Sequence, residues 1–76
     1  MNAEVRQLME SASRGSAASQ RELAERFYHG RGVERSVAQA MGWLMLAARN
    51  GDDGANYLVC QLCKRGILRV AIGSRS

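Results

Sequence analysis

The chain has 76 residues, 46% of them apolar, with no proline and a formal net charge of +4. This length allows one small domain, and no run of about 18 apolar residues is present, so we expect no membrane-spanning segment. The N-terminal residues lack the apolar run of a secretory signal, and we therefore expect a cytoplasmic location.

Charge is distributed unevenly along the chain. Residues 1–63 carry seven Arg and seven acidic residues, which cancel. The basic excess lies at the C-terminal end, in Lys64, Arg65, Arg69 and Arg75. This pattern favours a solvated basic tail, and the alternative is an arm that contacts nucleic acid or an acidic partner.

The first half of the chain has the periodicity of two helices. A helix is predicted over residues of about 2–13, with an apolar face made of Val5, Leu8, Met9 and Ala12. Gly15 suits the left-handed position that ends a helix. A second helix is predicted from about 17 to 29, with Ser16 or Ser19 as its N-cap and an apolar face made of Leu23, Ala24 and Phe27.

Two further helices follow a glycine-containing loop at residues 29–35. The third is predicted from the N-cap Ser36 to about Arg49, with an apolar stripe made of Ala40, Trp43, Leu44, Ala47 and Ala48. The fourth begins at Asp52 or Asp53 and runs to about Arg65, with an inner face expected to carry Tyr57, Val59, Cys60 and Cys63. The sequence therefore predicts an all-α protein.

The chain partly repeats itself after 36 positions, and several matched pairs lie at helical spacing before a glycine. The identical pairs are Leu8 with Leu44, Met9 with Met45, Ala12 with Ala48, Gly15 with Gly51, and Gly30 with Gly66. The pattern is interpreted as two copies of one helix–glycine–helix unit.

Three segments of the chain resemble the SEL-1-like repeat, a relative of the tetratricopeptide repeat. They are Gly30-Arg31-Gly32-Val33, Ala40-Met41-Gly42-Trp43 and Ala47-Ala48-Arg49-Asn50-Gly51. One full repeat covers residues 16–51, with degenerate halves on either side. The sequence departs from the family pattern at Ser19 and Ser36, where the family usually has Ala and Asp. Residues 1–66 are therefore interpreted as the repeat domain, and residues 67–76 as an apolar and basic C-terminal tail.

The resemblance implies an all-α fold, a short α/α solenoid of about four antiparallel helices. It also implies that this scaffold binds another protein, as an adaptor or small regulator without catalysis. By analogy with helical-repeat families, the first helix of each repeat lines the concave surface that contacts the partner. The candidate binding residues lie off the core stripe of the second and fourth helices and are Arg21, Glu25, Tyr28, Tyr57, Gln61 and Lys64.

Few residues suggest a metal or a reaction. Cys60 and Cys63 form a C-x-x-C pair, but His29 is the only histidine, so four zinc ligands are not available and two buried thiols are predicted instead. No nucleophile–base pair is recognisable around His29. We therefore expect no catalytic residues, no metal and no cofactor.

Other functions stay open at this level. The same fold is compatible with an enzyme or with a binder of small, cell-wall-type ligands, and the basic tail is compatible with nucleic-acid association, although the balanced charge of residues 1–63 does not favour it. The tail carries an apolar stretch from Ile67 to Ile72. We expect it to pair with a second copy of the chain or to dock on the partner, and folding back as a cap is the alternative.

Overall fold

The computed structural model describes residues 2–66, which form four α-helices and, within that range, no strand. The helices are α1 (Ala3–Ser13), α2 (Ala17–His29), α3 (Val37–Arg49) and α4 (Asp53–Lys64). Each helix packs mainly on the next one in the chain, and the short connections make neighbours run antiparallel. The predicted all-α fold with four helices is confirmed, whereas the predicted tail of residues 67–76 lies outside the described residues.

Each helix begins at a side chain that accepts a hydrogen bond from the backbone N–H three residues further on. The caps are Asn2, Ser16, Ser36 and Asp52, with donor–acceptor distances of 2.9, 3.3, 3.2 and 2.8 Å. Caps of this kind typically contribute about 1 kcal/mol each. Asn2 was expected inside the first helix and is its cap instead, so α1 begins at Ala3. Ser19 does not cap α2, because its hydroxyl donates to Oγ of Ser11 at 2.8 Å.

The loop between α2 and α3 depends on two glycines in the left-handed region. Gly30 ends α2 with φ +70°, and its N–H donates to the carbonyl of Arg26. Gly32 has φ +77°, and its carbonyl accepts from the N–H of Asn2 at 2.8 Å. A Cβ on Gly32 would lie 2.5 Å from Nδ2 of Asn2, so the residue that begins α1 packs directly against this glycine.

The core consists of two clusters that share α2 and α3. The first joins α1, α2 and the start of α3 through buried Val5, Ala12, Leu23, Phe27 and Ala40. The second joins α2, α3 and α4 through buried Ala24, Leu44, Ala47 and Ala55. Small residues dominate the second cluster, which allows the helices to approach closely. Trp43, predicted as a core anchor, is half-buried and packs against both clusters.

The predicted inner face of α4 is wrong in three of its four residues. Ala55 is the one fully buried residue of the helix, and Leu58, Val59 and Leu62 pack beside it. Tyr57 and Cys60 are exposed, and Cys63 is only half-buried. The two cysteines expected in the core therefore belong to neither core cluster. The repeat of 36 positions makes Cys60 and Cys63 equivalent to the core residues Ala24 and Phe27 of α2. The two helices have different neighbours, however, because α2 packs between α1 and α3 whereas α4 packs mainly on α3.

One polar side chain lies within the core. Gln20 is 1% exposed, and its Nε2 donates to the carbonyl of Ala12 at 2.9 Å. Its Oε1 accepts from Nδ2 of Asn50 at 3.0 Å. Both ends of the amide are thus satisfied, as a buried polar group requires. Gln20 connects the end of α1 to the end of α3 through α2.

Candidate functional site

An open apolar groove of about 390 Å³ runs between α2 and α4. Its floor is formed by the small residues Ala24 and Ala40 together with Met41 and Leu44, and its α4 wall is formed by Leu58 and Leu62. The floor exists because α2 and α4 both pack on α3, which leaves a depression between them. Small side chains on the floor keep this depression from being filled.

Four of the six candidate binding residues border this groove. Glu25 and Tyr28 lie on the α2 side, and Tyr57 and Gln61 lie on the α4 side. Tyr28 is 41% exposed and Tyr57 is 63% exposed, so each ring offers a large surface to a ligand. Helices α2 and α4 both pack on α3, so these four residues border the depression between the two helices.

Arg21 is placed differently from its expected role. Its Nε lies 2.9 Å from Oδ2 of Asp52, and its Nη1 lies 3.4 Å from Oε2 of Glu25. The approach to Asp52 is an ion pair rather than an aligned hydrogen bond, since Nε lacks a partner with hydrogen-bond geometry. A Cβ on Gly54 would lie 3.2 Å from Cδ of Arg21, so this glycine leaves room for the side chain. Arg21 therefore ties α2 to the N-cap of α4.

Lys64 is also separate from the groove. It is the last residue of α4 and is exposed, but it does not line the depression. Arg65, one position further on, lines it instead. The structure thus brings together four of the predicted residues and leaves Arg21 and Lys64 outside.

The position of Tyr28 is set by the loop that follows α2. Nε of Arg35 donates to the backbone carbonyl of Tyr28 at 2.8 Å, and the guanidinium carbon lies 5.7 Å from the centre of the Tyr28 ring. The ring of His29 meets the Tyr28 ring edge-on, with centroids 5.1 Å apart. The neighbouring loop and helix end therefore hold this aromatic side of the groove in place.

Comparison of the chain with protein-family models, with curated proteins and with solved structures found no match. The SEL-1-like resemblance therefore stays a prediction from the residues. Among residues 2–66, no helix is both long enough and apolar enough to traverse a bilayer. In the same part of the chain, no group of three or more His, Cys, Asp or Glu side chains is arranged to hold a metal ion.

Sequence reasoning missed the apolar part of the groove. Leu58 and Leu62 were not selected, although Ala55, Leu58, Val59 and Leu62 follow the i, i+3, i+4, i+7 spacing of an apolar helix face. That spacing was the available signal. His29 and Arg65 were missed as lining residues because their places depend on how the ends of α2 and α4 come together, which spacing along one helix does not reveal.

Proposed function

We propose that this chain is a SEL-1-like helical-repeat module that binds a segment of another protein in the groove between α2 and α4. The observation that carries the proposal is the groove itself, an apolar depression with an exposed tyrosine on each side. Aromatic residues around an apolar centre are typical of protein interfaces, where tyrosine often contributes strongly to binding energy.

The lining of the groove also indicates the chemistry of the partner segment. Apolar side chains on the floor favour a ligand with at least two apolar residues on one face. Glu25 is the one carboxylate among the described lining residues, and its contact with Arg21 is long, at 3.4 Å. A basic residue on the ligand would find a partner there. We therefore propose a short apolar peptide segment that carries one Lys or Arg opposite Glu25.

A displayed library of random peptides, selected on the purified full chain, tests this proposal. We expect the selected peptides to share two or more apolar residues and one basic residue. Their affinity should fall about tenfold for Tyr57→Glu, because the substitution places a charge at an aromatic contact. Asn56→Glu is the matched control, since Asn56 is the neighbouring exposed residue of α4 and does not line the groove.

Two results would contradict the proposal. One is a selection that yields no peptide binding above background. The other is equal weakening by Tyr57→Glu and Asn56→Glu, which would place the peptide site elsewhere. Circular dichroism of both variants should show unchanged helicity, because both positions are exposed and the loss of binding must not reflect unfolding.

A small apolar ligand is the second candidate, and the size of the groove favours it. A volume of about 390 Å³ falls within the roughly 300–1,000 Å³ range of small-molecule pockets. Thermal-shift screening against a metabolite panel, with Tyr57→Glu and Asn56→Glu in parallel, tests this candidate. A stabilising compound whose effect is lost only in Tyr57→Glu would favour a small ligand over a peptide.

A further inference from the structure

Helix α4 ends at the groove that it helps to form. Its last residue is Lys64, and the next residue, Arg65, lines the groove beside Tyr28 and His29 of α2. Gly66 then adopts φ +74°, a left-handed conformation that turns the chain away from the helix axis. The described part of the chain therefore ends one residue past a lining residue of the groove.

The residues that follow match the lining of the groove in character. The segment 67–72 reads Ile-Leu-Arg-Val-Ala-Ile, so five of its six residues are apolar and Arg69 is its one charge. The groove has an apolar floor and Glu25 as its one carboxylate among the described lining residues. The apolar surfaces are complementary, and Arg69 is opposite in charge to Glu25, while Arg65 is the one guanidinium among the described lining residues.

We propose that residues 67–72 occupy the groove of their own chain, with Arg69 beside Glu25. Reach allows this, because six extended residues span about 20 Å. The α4 wall from Tyr57 to Arg65 covers eight helical steps, or about 12 Å. A segment attached at the mouth of a site has an effective concentration in the millimolar range, so even modest affinity fills the groove.

The segment then acts as an internal ligand that an external ligand must displace. This regulatory consequence rests on the proposed function, but occupation of the groove by residues 67–72 does not. The apparent affinity for an external peptide is reduced by the fraction of chains whose groove is occupied. Variants that release the segment should therefore bind the selected peptides more tightly than the unaltered chain.

Paramagnetic relaxation in the full-length protein tests the placement. A nitroxide is attached at Ser74→Cys in a Cys60→Ser/Cys63→Ala background whose helicity is first checked by circular dichroism. We expect the amide signals of Glu25 and Tyr57 to broaden, and those of Glu10 on α1 to stay sharp. Adding Leu68→Asp and Ile72→Asp to the same labelled chain controls for simple tethering, and the broadening should become several-fold weaker.

A charge exchange in the same labelled chain tests the orientation. Arg69→Glu should weaken the broadening, and Glu25→Arg combined with Arg69→Glu should restore it. Arg75→Glu is the matched control outside the segment and should have no effect. Equal broadening with and without the two aspartates, or no broadening at all, would overturn the proposal. Broadening seen only when a spin-labelled chain is mixed with an isotope-labelled one would also overturn it, because the occupant would then be a second copy.

Discussion

The side-chain amide of Asn50 donates a hydrogen bond to Oε1 of Gln20 across 3.0 Å, which joins residues 30 positions apart. Gln20 is buried within α2, and Asn50 caps the C-terminal end of α3. The contact satisfies an acceptor that has no access to water. It also fixes how far α2 and α3 slide along each other, because both groups lie near helix ends.

Removing this donor should destabilise the protein even though Asn50 itself is exposed. Asn50→Ala leaves the buried Oε1 of Gln20 without a partner, and we expect a loss of about 1–3 kcal/mol in the free energy of unfolding. Urea denaturation followed by circular dichroism measures it. Asn56→Ala, an exposed asparagine in the interior of α4, is the control and should have a small effect. Equal midpoints for the two variants would show that the hydrogen bond contributes nothing.

Substitution by alanine should change the stability of the protein in opposite directions at Gly32, in the loop before α3, and at Gly42, inside α3. Gly32→Ala should destabilise by about 1–3 kcal/mol, because φ is +77° and the new Cβ would collide with Asn2. Gly42→Ala should stabilise by about 0.5–1 kcal/mol, since Gly42 is exposed inside α3 and nothing lies within 4 Å of the added carbon. Thermal melts of both variants give the signs, and destabilisation by Gly42→Ala would contradict the prediction.

Trp43 should contribute more than its half-buried position suggests, because it contacts both core clusters. We expect Trp43→Ala to cost about 2–4 kcal/mol, somewhat less than the roughly 3–5 kcal/mol for a fully buried large aromatic residue. Leu46→Ala is the control on the same helix, where the leucine is 37% exposed. Chemical denaturation should separate the two variants clearly, and similar losses for both would mean that Trp43 does not connect the clusters.

Cys60 should behave as a surface thiol. Its exposure predicts that Cys60→Ser changes stability by less than about 0.5 kcal/mol, in the range of ordinary surface substitutions. A thiol-reactive disulfide reagent should label Cys60 quickly in the native protein and half-buried Cys63 more slowly. Labelling of the Cys60→Ser variant identifies the slower site. If both thiols react only after unfolding, the orientation of α4 is wrong.

Acid should weaken the link between α1 and α2. The guanidinium of Arg26 hydrogen-bonds to the carboxylate of Glu4 at 3.2 Å and attracts its charge, which lowers the pKa of Glu4 below its ordinary value. A lowered pKa in the folded state stabilises the fold above the unfolded-state pKa, and this contribution is lost as the pH falls through the folded-state pKa. The carboxylate side chain is 65% exposed, so salt screens the effect.

The variant Glu4→Gln should therefore show a shallower loss of stability with acid than the unaltered chain. Thermal melts across the acidic range, at low and high salt, measure this difference. Glu10→Gln, an exposed position of the same helix, is the control and should follow the unaltered protein. A Glu4→Gln curve that coincides with the unaltered curve at every pH would contradict the assignment.

Local signals along the chain predicted the helices well. Ser16, Ser36 and Asp52 were recognisable as caps because each bonds to an N–H only three residues away. The interactions of Gln20 were not predictable in this way, since its partners lie 8 and 30 positions away. The burial of Cys60 was predicted wrongly because a repeat alignment assumes that equivalent helices have equivalent neighbours.

Helix packing also explains which of the candidate binding residues lie together at the groove. Glu25, Tyr28, Tyr57 and Gln61 were found because the two helices that carry them both pack on α3. The place of Arg21 outside the groove was not predicted, because its ion pair with Asp52 depends on the start of α4 lying against α2. Spacing along the sequence identifies a face of a helix. It does not identify which side chains on that face form contacts with another helix.

Helix α4 is the least anchored wall of the groove, since Ala55 is its one fully buried residue and its packing is mainly on α3. The free energy of opening α4 alone should therefore be lower than that of opening α2, and its amides should exchange with solvent first. A molecule held between α2 and α4 binds only the closed form and shifts this local equilibrium by mass action. The rate of amide exchange in α4 would then report how much of the groove is occupied. Each rise in ligand concentration should slow exchange in α4 more than in α1, α2 or α3.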